Sequence, residues 1–204
     1  MTDLVSGIVV AAPEPGSGED DLRTSAEAFR QALGGLLEQT APGEAKRGIL
    51  RRDPDDGVPT GSDDGMEYLV PAAVYVVGRT DHGAFILAQP DDATITTDAA
   101  DATNDRIDRV YVIQPDPEQS DTGVARVDVA IGTASSSPAL PSIPTGALEL
   151  GRCTVAAGIT DTSEVEFTNL ADLVGFAGDP IVSTSDPGVD NVPEGTRWIK
   201  PIVS

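Results

Sequence analysis

One cysteine, one histidine and one tryptophan in 204 residues leave little material for several kinds of chemistry. With Cys153 alone no intrachain disulfide framework forms, and a tetrahedral zinc site is short of ligands. A nucleophile activated by histidine would have to use His82, which lies in the turn-like run RTDHG with no nucleophile elbow beside it. Aromatic residues make up 4% of the chain, whereas clefts that cleave sugars are lined by aromatic rings, so the abundant carboxylates are not read as a glycosidase pair. No glycine-rich phosphate loop follows a strand pattern, and no helical pattern carries two histidines. Basic residues are scarce: 13 Lys and Arg against 34 Asp and Glu give a formal charge of −21. That balance repels a nucleic-acid backbone, and the cations are too scattered to make a local exception. The longest apolar runs, such as residues 8–12, are far too short to insert in a membrane. No basic residue precedes Arg23 and no signal-peptide core is present, so the expectation is a product that stays soluble in the cell where it is made. The chain is read as a non-enzyme without a cofactor.

What is present favours β structure. Val, Ile, Leu and Ala supply most of a hydrophobic fraction of 39%, enough for a lean core, and 21 Gly with 16 Pro punctuate the chain with turns. Short patterned runs fall at residues 67–70, 73–77, 84–88, 93–97, 107–114, 124–131, 147–156 and 165–168. In the strongest, Ile107, Tyr111 and Ile113 alternate with polar or smaller positions, and Val127, Val129 and Ile131 alternate with Arg126 and Asp128. The run PDPEQSDTG between these two predicts a long hairpin loop. The fold class expected is mainly β, a sandwich or jelly-roll-like domain. Cys153 falls at an inward-looking strand position, where a buried apolar thiol is expected.

Around this body the chain divides into an N-terminal attachment region over residues 1–65, a β domain over 66–170 and a C-terminal extension over 171–204. Residues 4–12 have a β-like composition. Leu22, Ala26, Phe29, Leu33, Leu36 and Leu37 then recur at helical spacing, with Asp20 or Asp21 placed to cap the start and Thr24 and Glu27 spaced as a capping box. Gly34 and Gly35 each weaken this amphipathic helix by about 1 kcal/mol relative to alanine, so its stripe needs a docking surface, either its own β domain or a neighbouring subunit. Residues 40–65 read as a linker with one apolar patch at 48–50. Its DPDDG and GSDDG runs are turn signals, and they lack the spacing and distal glutamate of a helix-loop-helix calcium site, which leaves calcium as the weaker alternative. Near the end, Trp198 sits in a last strand expected at 196–202, able to anchor that strand on the body or on a partner.

Arg106, Asp108 and Arg109 form the one charged cluster within a strand pattern. With Ile107 pointing inward, Arg106 and Asp108 share the outer face and can pair with each other or with Arg126 and Asp128, fixing register or a subunit contact. Downstream, Pro138, Pro141 and Pro144 recur at every third position in an arm over 134–146, which favours an extended backbone without internal hydrogen bonds. Such an arm lies across another surface.

Asn104, Arg106, Ile107, Asp108 and Val110, followed about thirty residues later by Pro138, Ala139, Pro141, Pro144, Gly146, Ala147, Leu148 and Leu150, resemble a recurrent segment of the minor tail, baseplate or tail-tip proteins of long-tailed bacteriophages that infect actinobacteria. Asp105 and Ala134 stand where prolines are common in that family. The resemblance covers residues 66–159, and the excess of Arg over Lys fits a GC-rich genome. It implies a structural virion protein at the tail tip, assembled in the host cytoplasm, that forms a homo-oligomer, a trimer about the tail or fibre axis, and contacts other tail or baseplate proteins. Two other classes fit the composition: a carbohydrate-binding module that reads host cell-wall glycan through Tyr68, Tyr75, Tyr111 and Trp198, and a capsid decoration or head-fibre protein.

Overall fold

The structure is a computed structural model that describes residues 2–3, 26–42, 44–50, 57–79, 82–116, 119–176, 181–182 and 198–199. Among these the chain is mainly β with one helix. In order it forms β1 (Thr2–Asp3), α1 (Ala26–Gly34), β2 (Gln39–Ala41), β3 (Glu44–Ala45), β4 (Gly48–Leu50), β5 (Thr60–Gly61), β6 (Glu67–Val70), β7 (Ala73–Gly78), β8 (Ala84–Gln89) and β9 (Ala93–Thr96). The second half adds β10 (Arg106–Ile113), β11 (Arg126–Ala130), β12 (Leu148–Val155), β13 (Phe167–Asn169), β14 (Leu173–Val174), β15 (Ile181–Val182) and β16 (Trp198–Ile199). Three sheets carry the body, in the orders β1-β11-β10-β12-β13, β14-β4-β7-β8 and β5-β6-β9, and β2-β3 and β15-β16 make two small ones.

The period-2 patterns land where they were expected, from β6 to β13, because each strand has one face to bury. In β9, Ala93 and Ile95 are buried while Thr94 and Thr96 face solvent. β7 departs from alternation because both of its faces are covered. Tyr75 and Val77 enter the main core, and Val76 enters a second cluster with Leu37, Ala84 and Val174. The main core draws on all three larger sheets: Ile49, Tyr75 and Leu87 from one, Tyr68, Val70 and Ile95 from another, Val110, Val112, Val127 and Leu150 from the third. β10 and β11 are antiparallel neighbours joined by the long loop that the turn residues require.

β10 corrects the inward set read from the sequence. Arg106, Asp108, Val110 and Val112 are fully buried, and Ile107 is only half-buried. Past Val110 the register with β12 shifts, so Tyr111 stands opposite Glu149 and Leu150 becomes the extra residue. Tyr111 and Ile113 are then buried as well. An alternation of apolar and charged residues points the wrong way when the charged pair is what the core receives.

The linker over residues 40–65 is also corrected. It contributes β2 to β5, and Ile49 is 1% exposed. β4 pairs antiparallel with β7 through Ile49 and Tyr75, and parallel with β14 through Ile49 and Leu173. One sheet thus takes strands from all three regions expected at 1–65, 66–170 and 171–204, and those boundaries do not separate structural units. Three residues are too few to carry a strand pattern, and their partners are remote in sequence.

α1 docks on its own β body, but by a different stripe from the one expected. Arg30 is 8% exposed, with its guanidinium 4.7 Å from the Phe85 ring centre, its Nε donating to the His82 carbonyl at 3.1 Å and its charge 3.7 Å from Asp116. Gly34, one turn on, faces Ala45 and Ala84, and Gly83 lets the helix backbone come close, since a Cβ there would lie 2.6 Å from the Arg30 carbonyl carbon. Phe29 and Leu33 are half-buried beside this face, Leu37 is sealed, and Leu36 is 60% exposed. The expected caps at Asp20, Asp21 and Thr24, Leu22, and the strand at 4–12 lie outside the described residues.

Replacing Ile49 by alanine is expected to cost about 2–5 kcal/mol, the range for emptying a sealed aliphatic site. Urea denaturation checks this; a change near zero would return residues 44–50 to the status of a linker.

Candidate functional site

Arg106 and Asp108 are two apart on β10, so their side chains leave the same face of the strand. That face points into the protein, where Asp108 has no exposed surface and Arg106 has 4%. The Asp108 carboxylate accepts from Tyr68 Oη at 2.9 Å, Thr97 Oγ1 at 2.8 Å, Arg106 Nε at 3.0 Å and the Gly132 amide at 3.1 Å. Arg106 spends its remaining donors on the carbonyls of Asp98 and Ala99, at 2.6 and 2.8 Å, and on Thr97 Oγ1 at 3.2 Å. Burying an ion pair costs several kcal/mol unless hydrogen bonds satisfy it, and here both carboxylate oxygens accept and all three guanidinium nitrogens donate. The network joins β6, the end of β9, β10 and the turn after β11. Gly132 can bring its N–H this close only because it has no side chain: a Cβ there would lie 2.1 Å from the Ile107 carbonyl.

The thiol and the hydroxyl beside this pair are both driven toward their protonated forms. Cys153, paired with Asp108 across β12, donates to Tyr68 Oη at 3.5 Å. Burial pushes its thiol up to about 11, the Asp108 charge adds to the shift and the Tyr68 hydrogen bond opposes it. Burial, then Cys153 and Asp108, raise the Tyr68 hydroxyl far above its ordinary range.

Arg109 leaves the opposite face of β10 and holds the proline arm. Its Nη1 donates to the Pro141 carbonyl at 2.7 Å and its Nη2 pairs with Glu149, whose other oxygen is 3.7 Å from Arg152 Nε. The arm is also tied by the Ser135 amide, which donates to the Asp105 carbonyl at 3.1 Å. Pro138 and Pro141 are half-buried on their own domain, while Pro144 and the neighbouring Leu140 are exposed. The surface the arm crosses in one chain is therefore its own sheet. At its end a cleft of about 230 Å³ opens between Arg79, Ile113, Asp121, Arg126, Pro144 and Thr145. Both arginines there are ion-paired, Arg79 to Asp121 at 2.5 Å and Arg126 to Asp128 at 2.9 Å. The Asp116 amide and Arg79 hold the Asp121 carboxyl below the usual carboxylate range. Of the two pairings expected for Arg106 and Asp108, the one with each other forms at 3.0 Å, and Asp128 instead takes Arg126 and Tyr111 Oη, at 3.2 Å for the latter, on the other face.

Other candidates are dispersed. His82 is half-buried, its Nδ1 3.3 Å from Gln119 Nε2 and 3.7 Å from Glu27 Oε1, a tie between the helix and two loops. Tyr68, Tyr75 and Tyr111 are all buried, which removes them as rings for stacking on a sugar. Trp198 lies in β16, paired parallel with Ile181 of β15, and what its side chain meets lies outside the described residues. In GSDDG, Ser62 Oγ accepts from the Asp64 amide at 3.1 Å and the Ser62 amide donates to Thr162 Oγ1 at 2.9 Å, the turn chemistry expected of it. Among the described residues no group of three or more His, Cys, Asp or Glu is placed to hold a metal. Residues 53–56 of DPDDG lie outside them.

Sequence reasoning missed Tyr68, Thr97 and Gly132 as partners of the ion pair, and Glu149 as the partner of Arg109. A tyrosine at an inward strand position was the available signal, since a buried hydroxyl requires an acceptor. Comparison with protein-family models, curated proteins and solved structures found no match to this chain.

Asp108→Ala is expected to destabilise by about 3–5 kcal/mol because it strands a buried guanidinium, while Asp128→Ala, at a partly exposed pair, costs about 1 kcal/mol or less; urea midpoints of the two variants compare them. Native Cys153 is expected to resist a thiol reagent at pH 8 and to react once the chain is unfolded. Because the folded thiol keeps its proton longer than the unfolded one, stability is full below the ordinary thiol range and declines as pH rises toward about 11, which a pH series of melts reads directly.

Proposed function

We propose that this chain is a structural protein of a bacteriophage particle, a minor tail or baseplate component that associates with copies of itself and with neighbouring tail proteins and joins the tail tip to receptor-facing parts during host attachment. The observation that carries this reading is the use made of the two segments that resemble such proteins. Arg106 and Asp108 go into the core as a satisfied pair, and Arg109, next to them, grips the arm at Pro141. Both segments serve shape.

On this reading no bond is made or broken by the chain. The lone histidine is engaged with Glu27 and Gln119, and the lone thiol is buried and protonated. The three larger sheets are read as a sandwich or jelly-roll-like body, an arrangement that suits their single shared core. A trimer is what the resemblance implies. The acidic surface keeps copies soluble until assembly, at a formal charge of −21. With the tyrosines buried, glycan recognition loses its stacking platform and is the poorer alternative.

Immunogold labelling of purified particles with antibody to this chain tests the proposal. Label at the tail tip is the expected result. Label on the head would make the protein a capsid decoration, and absence from the particle would overturn a virion role altogether.

A further inference from the structure

The turn between β7 and β8 meets α1 and the loop between β10 and β11 through polar contacts. Arg79 of the turn pairs with Asp121 of the loop at 2.5 Å, and Arg30 of α1 lies 3.7 Å from Asp116 at the start of the loop. The third contact differs in kind. His82 Nδ1 is 3.3 Å from Gln119 Nε2 of the loop and 3.7 Å from Glu27 Oε1 in the first turn of α1. A ring nitrogen holds either a lone pair or a proton. An amide NH2 only donates, so the Gln119 contact needs a bare Nδ1, while an ionised carboxylate only accepts, so the Glu27 contact needs Nδ1–H. The two contacts exclude each other, and one proton decides between them.

We infer that His82 is a proton-driven selector that ties the turn to the β10–β11 loop when neutral and to α1 when charged. Its backbone is held in either state: the His82 amide donates to the Arg79 carbonyl at 3.2 Å, and the His82 carbonyl accepts from Arg30 Nε at 3.1 Å. The imidazole therefore stays between its two partners. Among the described residues, the charged groups on the elements that meet it are Glu27 and Arg30 of α1, Arg79 of its own turn, and Asp116 and Asp121 of the loop. Arg30 is paired with Asp116 and Arg79 with Asp121, which leaves Glu27 as the carboxylate that answers an imidazolium. Glu27 Oε1 also accepts from Gln31 Nε2 at 3.2 Å, one turn along the helix. Histidine is the side chain whose ordinary change of charge falls between pH 5 and 8, so mild acid is enough to move the tether. The proton comes from solvent. The loop that it releases carries Asp121 and Thr122, which line the cleft at the end of the proline arm, so the same proton loosens one wall of that cleft.

This selector is independent of the virion role proposed above. His82 is the only histidine, so isotope labelling of histidine reports this ring alone in the NMR spectrum of the full chain. At pH 8 the expected tautomer carries its proton on Nε2 and leaves Nδ1 bare. Between pH 8 and pH 5, hydrogen exchange corrected for its intrinsic rate is expected to slow in α1 and to quicken at residues 119–123, each about two- to fivefold, the scale of one partly exposed contact. Glu27→Gln removes the charge that attracts the proton, so the slowing in α1 is expected to vanish while the quickening in the loop stays. His82→Gln is expected to abolish both responses with an unchanged circular dichroism spectrum. A neutral ring with its proton on Nδ1 overturns the inference. So does a loop that keeps its protection at pH 5, the result if the Gln119 amide turns its oxygen to the charged ring, and so does a helix response that survives in Glu27→Gln.

Discussion

Asp108 has no exposed surface, and an ionised carboxylate there must receive hydrogen bonds from every side or the fold pays its full desolvation cost. Arg106 lies two residues away on the same strand, while the donors Tyr68, Thr97 and Gly132 come from other places in the chain that are brought together only when the sheets are assembled. Such a pair is not a source of net stability compared with an apolar filling of the same volume. Its effect is specificity: any alternative packing or slipped register leaves a buried charge without partners, at a cost of several kcal/mol. β10 is thus pinned at its first half by charge and at its second half by the bulge at Leu150.

The same strand organises its other face. Arg109, one residue from Asp108, points away from the core and fixes the arm through Pro141 and Glu149. A proline-rich segment has no internal hydrogen bonds to hold it, so its course depends on what it is tied to. A rigid strand with a core side chain at one position and an arm anchor at the next transmits the geometry of the core to the surface. This is how a chain with few aromatic residues and a lean core presents a defined exterior. The helix is held by similar means, with a buried arginine over Phe85 and a glycine at the point of closest approach, where the sequence offers leucines.

Much of this could be read from residue order. Strand positions from Glu67 to Thr168 follow from the alternation of Val, Ile and Tyr with polar residues, from Gly and Pro at the breaks, and from the impossibility of a tight turn in PDPEQSDTG. The buried state of Cys153 followed from the same periodicity. The inward direction of Arg106 and Asp108 did not, because a pattern argument assigns charge to water, and the rule fails where the charge is fully paired. Arg106 and Asp108 were read onto the outer face of the strand, and the structure turns them inward.

Local composition and period were therefore enough for the mainly β class and for the strands of the central region. What they could not supply were relations between distant segments: β4 between β7 and β14, Tyr68 against Asp108, and Arg30 against Asp116 and Phe85. These pairings join residues tens of positions apart. Their energy exists only after the loops between them have closed, so no window along the chain contains both the side chain and the partner that makes its burial possible.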